Sequence, residues 1–104
     1  MSRLPALMKL HEADPSDADL LFMIGSEHFN AGRPAEALPW LSRYVDAGRD
    51  VGAGFGLMAE CCLKLNRDED AKAALRRGIE AALRAGHPTM AGEFEERLHE
   101  IGDP

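Results

Sequence analysis

Leu21-Phe22-Met23-Ile24-Gly25-Ser26-Glu27-His28, followed by Ala37 and Leu41, returns further along the chain as Phe55, Met58, Ala59, Cys62, Ala71 and Leu75. Gly25 and Ala59, Ala37 and Ala71, and Leu41 and Leu75 each stand 34 residues apart. An offset held at three packing positions marks a repeat array, and a period of about 34 residues is that of a helix-turn-helix unit. The same stretch is apolar nearly all round, since Leu20, Leu21, Phe22, Met23, Ile24 and Phe29 cannot share one stripe of a helix over 18–31. Such a helix must be covered on more than one side. Gly25 lies in its middle, where glycine costs about 1 kcal/mol relative to alanine, so a neighbouring helix is expected to approach closely there.

On the N-terminal side, Leu4, Leu7, Met8 and His11 have helical spacing over 2–13, with Ser2 as N-cap and Pro5 in the first turn. Pro15 ends that helix at Asp14, and Ser16 or Asp17 caps the next. On the C-terminal side, Gly32 breaks the chain and Pro34 opens a helix over 34–47 whose stripe is Ala37, Leu38, Leu41, Tyr44 and Val45. Pro39 is expected to bend or loosen its start, and Trp40 to flank the stripe half-buried. Gly48-Arg49-Asp50 closes this unit. The third long helix opens with Gly52-Ala53-Gly54-Phe55-Gly56, glycine-rich enough to fray, and runs to Asn66. The fourth begins with Asp68, Glu69 and Asp70 at its positive end and carries Lys72, Arg76, Arg77 and Arg84 later, matching the helix dipole. After Gly86-His87, Pro88 opens a last helix with Met90, Phe94, Leu98 and Ile101 on one face. Glu93, Glu95, Glu96, Arg97 and Glu100 are assigned to the other, the pattern of a cap on a stack.

The 104 residues suffice for one domain with a modest core. The net charge of −6 is spread evenly, five basic and eight acidic residues in 1–51 against seven and ten in 52–104. Such a field repels phosphate backbones and anionic lipid, so nucleic acid and membrane surface are poor partners. No apolar run approaches the roughly 20 residues of a bilayer span. Met1-Ser2-Arg3-Leu4-Pro5 lacks the apolar core of a secretory signal, and a cytoplasmic location is expected. Adjacent Cys61 and Cys62 on a helix are poorly placed for a mutual disulfide and read as two small buried apolar side chains.

These residues resemble the tetratricopeptide repeat family, in a small two-repeat form with end helices. In a repeat covering 18–51, Leu21, Ile24, Gly25, Gly32, Ala37 and Leu41 match the motif. His28 stands where an aromatic is usual, Tyr44 where a small alanine is, and Arg49 where the closing proline is. In a repeat covering 52–85, Phe55, Met58, Ala59, Ala71 and Leu75 match, while Cys62, Asn66 and Gly78 depart. Carried backwards, the register puts Pro15 at a closing-proline place and Leu7 and Leu10 on second-helix core positions. Residues 2–15 thus look like half a repeat, and 88–101 like a capping helix. The resemblance implies an all-α fold, a short right-handed solenoid of helical hairpins with about six helices in a single domain. Because two full repeats fall short of the usual three, both end helices are expected to be structurally necessary.

Competing motifs are weak. The glycines at 52, 54 and 56 lack both the third glycine of a dinucleotide loop and a preceding strand, so no cofactor is expected. His11, His28, His87 and His99 sit on different elements without ligand spacing, so no metal site is expected, and His28 reads as a packed core ring. No nucleophile has a visible base and orienting acid, and no enzymatic activity is expected. What the resemblance does imply is a binding face on the first helix of each repeat, bearing Asp19, Phe22, Ser26, Phe29 and Asn30 and then Ala53, Gly56, Glu60, Leu63 and Lys64. Phe22, Ser26 and Leu57 occupy the places of the basic and asparagine clamp with which some members grip a C-terminal carboxylate, which argues against that ligand. A groove floored by Phe22, Phe29 and Leu63 and edged by Asn30, Glu60 and Lys64 suits an apolar or amphipathic helix. The function expected is a protein-interaction module or assembly factor binding a protein or peptide. Three alternatives stand beside it: a groove filled by the chain's own end helices, a homo-oligomeric scaffold subunit, such as a homodimer, without an open groove, and an enzyme whose site is assembled only in space.

Overall fold

The computed structural model describes residues 2–48 and 50–102, so Arg49, read above as the stand-in for a closing proline, lies outside the described residues. Among them the chain forms six helices and no strand: α1 (Leu4–Ala13), α2 (Ala18–Asn30), α3 (Pro34–Asp46), α4 (Ala53–Lys64), α5 (Asp68–Arg84) and α6 (Pro88–Ile101). Each helix packs on its successor, and α2 also touches α4. The result is a two-layer zigzag, with α2, α4 and α6 in one layer and α1, α3 and α5 in the other, extended over 44 × 29 × 20 Å.

The 34-residue offset is a packing rule in this stack. Ala37 and Ala71 are wholly buried at one register position, Leu41 and Leu75 at the next, and Ala59 is wholly buried where Gly25 stands in α2. A Cβ on Gly25 would come 2.8 Å from Leu41 Cγ and Cδ2, too close for any side chain. The glycine lets α2 and α3 approach, and Leu41, which it admits, contributes about 1.5–3 kcal/mol by burial. Leu41, Ala37 and Cys61 form the centre of one apolar cluster. Ala59, Cys62, Ala71, Ala74, Leu75 and Leu98 form the next, and Leu7, Leu20 and Ile24 tie α1 to the stack.

Local chemistry sets the helix ends. Asp17 accepts from the Asp19 amide at 3.0 Å, the expected cap of α2. Ser2 Oγ accepts from Leu4 N at 3.1 Å, but from the residue before the N-cap, which is Arg3 rather than the expected Ser2. One expectation is corrected. The glycine-rich start of α4 is held, because Asp50 Oδ1 accepts from Gly54 N at 2.9 Å and Oδ2 from Phe55 N at 3.3 Å. A carboxylate at the positive end of the helix satisfies amides that would otherwise be orphaned. α3 runs unbroken through Pro39, whose exposed ring lies one turn in.

The face of α6 turned away from the stack is polar. In register with Leu21 and Phe55, Ile24 and Met58, Gly25 and Ala59, and His28 and Cys62, α6 carries Thr89, Gly92, Glu93 and Glu96. All four are exposed. A further helix could bury that face only by stripping water from two carboxylates.

Candidate functional site

The helices α2 and α4 bring most of the expected face together. Phe22 and Phe29 are half-buried, their inner edges against the cluster of Ala37, Leu41 and Cys61, alongside Leu57. The Phe22 ring meets Tyr44 at 5.1 Å between centroids, tilted by 52°. Lys64 holds its ammonium 5.9 Å from the Phe29 ring, within reach of a cation–π attraction. Leu63 is half-buried against the second cluster. Asp19 and Asn30 are exposed on α2, and Ser26 lies half-buried between the two phenylalanines.

Gly56 and Glu60 have a different role from the other expected site residues. The Phe94 ring of α6 lies against Gly56, where a Cβ would come 2.9 Å from Cε1. Arg97 donates from Nε to Glu60 Oε1 at 3.0 Å and from its second terminal nitrogen to Oε2 at 3.1 Å, and also reaches Glu100 at 2.8 Å. These hydrogen bonds, first to Glu60 and then to Glu100, raise the guanidinium pKa further above its ordinary value. Arg97 therefore does not belong to the charged outer face of α6, where its neighbours in sequence suggested it. Its fork latches α6 to α4. Both partners are more than a third exposed (37% and 40%), so solvent screening keeps the latch modest. Met90 completes this seam against Gly52. The apolar part of this seam had a signal in the register, since Met90 and Phe94 follow Gly56 and Glu60 by 34 residues.

No residue of α1 or α6 belongs to the apolar cluster that carries Phe22 and Phe29. α1 packs against α2 from the other layer, through Leu7, Leu20 and Ile24 with Trp40 of α3 beside them. Trp40 is half-buried as expected, its ring 5.2 Å from His11 edge-on and 5.1 Å from the Arg43 guanidinium. His28 is not the packed core ring expected of it. It is half-buried, and its Nδ1 accepts from Arg33 Nε at 3.2 Å.

The thiols are free and buried, as expected of small apolar side chains. Burial first, then the neighbouring Cys62 and Glu60, pushes the Cys61 thiol from 9.0 to about 11, and burial likewise raises Cys62. A thiol held protonated is a poor nucleophile and a poor metal ligand. Among the described residues no three His, Cys, Asp or Glu side chains gather closely enough to hold a metal ion. No helix among them is long and apolar enough to cross a membrane.

Comparison with known proteins bears on this layered stack. The family model described as anaphase-promoting complex, cyclosome, subunit 3 matches residues 4–78. The chain belongs to that family. It is a tetratricopeptide-type protein, and the match runs from α1 well into α5. The solved structure titled "Crystal structure of MamA" superposes with a TM-score of 0.67 at 20% identity, covering 95% of this chain and 66% of that one. At that identity the likeness shows the shared helical solenoid, and this tetratricopeptide-type chain spans just under two thirds of the MamA chain's length. No curated protein sequence matches it.

Proposed function

We propose that the protein is a non-catalytic interaction module that binds a protein segment, an apolar or amphipathic helix or peptide, on the face formed by α2 and α4. The observation that carries this reading is the pair of half-buried rings, Phe22 and Phe29, side by side on α2 with Leu57 and Leu63 of α4. Large apolar side chains left partly wet on one face of a repeat stack are what an apolar ligand surface requires. Asp19, Ser26, Asn30 and Lys64 supply a polar rim. Gly56 and Glu60 act indirectly, by fixing α6 as the border of the face. The family's description names a subunit of a multi-protein complex, which is in keeping with an interaction role.

The test is affinity capture from native extract with the wild-type chain and with Asp19→Lys/Asn30→Lys. Both positions are exposed rim residues, so the melting temperature is expected to stay within a few degrees while captured partner falls at least fivefold. Undiminished capture by the double variant would remove the α2 rim from the binding surface.

A further inference from the structure

A second concavity lies in the other layer. A cavity of about 390 Å³ opens between α3 and α5, lined by Leu38, Pro39 and Ser42 on one side and Ala73, Ala74 and Arg77 on the other. Its floor is Met58 and buried Cys62 of α4. On α4 these two residues lie two positions from Gly56, Glu60 and Lys64, roughly 160° around the helix. The cavity is therefore separate from the α2/α4 face. It exists because Ser42, Ala73 and Ala74 are too small to close the gap between two helices of the same layer, and it falls in the size range of ligand pockets.

The charges at its two ends differ. At one end Arg67 is neutralised by Asp70 at 2.7 Å. At the other, about 10 Å along α5 from Asp70, Arg77 stacks over the Phe55 ring with its guanidinium carbon 4.6 Å from the centroid. Among the described residues no carboxylate comes within 4.0 Å of Arg77. A guanidinium pre-positioned by an aromatic ring, exposed, and unpaired in a chain of net charge −6 is ready to donate to a carboxylate.

We propose that this cavity is a second docking site, taking a peptide segment of a partner protein that places an apolar side chain on Leu38, Met58 and Ala74 and an adjacent carboxylate on Arg77. Charge complementarity selects this occupant, since among the described residues that line the cavity the charged ones are Arg67 and Asp70, which pair with each other, and Arg77, which has no carboxylate partner within 4.0 Å. The site does not depend on the α2/α4 face, and its variants leave that face intact.

The experiment is selection of a phage-displayed random dodecapeptide library on the full chain, followed by fluorescence polarisation with the enriched peptides. The expected sequences pair Asp or Glu with a nearby Leu, Ile, Met or Phe. Ala73→Trp, which fills the cavity from an exposed position, and Arg77→Glu should each weaken binding at least tenfold. Arg77→Lys should retain most of it, and Asp19→Lys/Asn30→Lys should leave it unchanged; a melting curve for each variant establishes that it is folded. Failure to enrich any peptide, enrichment of basic or purely apolar sequences, or binding indifferent to Ala73→Trp would overturn the proposal. So would sedimentation showing a dimer that Arg77→Glu dissolves, because the occupant would then be a second copy carrying the acidic face of α6.

Discussion

The Phe94 ring lies directly on the backbone of Gly78, so that a Cβ at Gly78 would come 2.9 Å from Cε2. The first hairpin solves the same junction the other way round. Thirty-four residues before Gly78 stands Tyr44, and there the facing helix gives way, a Cβ on Gly54 coming 2.9 Å from Tyr44 Cδ2. Large against glycine at one junction and glycine against large at the next keep the interhelical spacing while the sequence departs from the usual small residue.

This trade predicts that Gly78→Val overpacks the α5/α6 seam and lowers stability by about 1–3 kcal/mol. Phe94→Leu in the same chain should recover part of the loss, because the shorter side chain yields the space. A double-mutant cycle by urea denaturation measures the coupling; strict additivity would mean that the ring does not sit on Gly78.

Removing α6 by truncation after Gly86 is expected to abolish cooperative unfolding or cause aggregation. Leu98 belongs to the cluster of Ala59, Cys62, Ala71 and Leu75, and Phe94, Ile101 and Met90 cover its surroundings. Their loss would wet the core face of the second hairpin. Light scattering and a thermal melt of the truncated chain check this, and a soluble, sharply melting product would remove the capping role.

The 34-residue rule made the interior legible, because apolar spacing reports what a helix buries. It marked Gly25 and Ala59 as places of close helix approach, and the partner at Gly25 is Leu41 of α3. Polar contacts between elements were not legible in the same way. Glu60 and Arg97 are 37 residues apart, and no periodicity says which of many surface carboxylates a guanidinium will meet. Asp50 was missed as a cap because it stands before Gly52, outside the position where capping side chains are usually sought. His28 occupies a core register position, yet a hydrogen bond with Arg33 keeps its ring at the margin.

Cys61 should give the stability a signature in alkali. The thiol titrates near 9.0 when unfolded and near 11 when folded, so between those values the folded chain keeps a proton that the unfolded chain loses. Its contribution is whole below pH 9 and declines as pH rises through 11, by about 2–3 kcal/mol at most. Urea midpoints from pH 8 to 11 should fall more steeply for the wild type than for Cys61→Ala. Parallel slopes would contradict the buried neutral thiol.

Phe22→Ser/Phe29→Ser should cost stability as well as binding. Each ring has one edge packed on the Ala37, Leu41 and Cys61 cluster, so the loss per ring should be below the 3–5 kcal/mol of a fully buried phenylalanine replaced by alanine, about 1–2 kcal/mol. A thermal melt that does not move would show both rings to be free of the core.

The most direct test of the central claim is amide hydrogen exchange on the chain alone and bound to its captured partner. The account predicts that added protection concentrates in residues 19–30 of α2 and 56–64 of α4. Protection confined to α3, α5 or the acidic face of α6, with α2 unchanged, would contradict it.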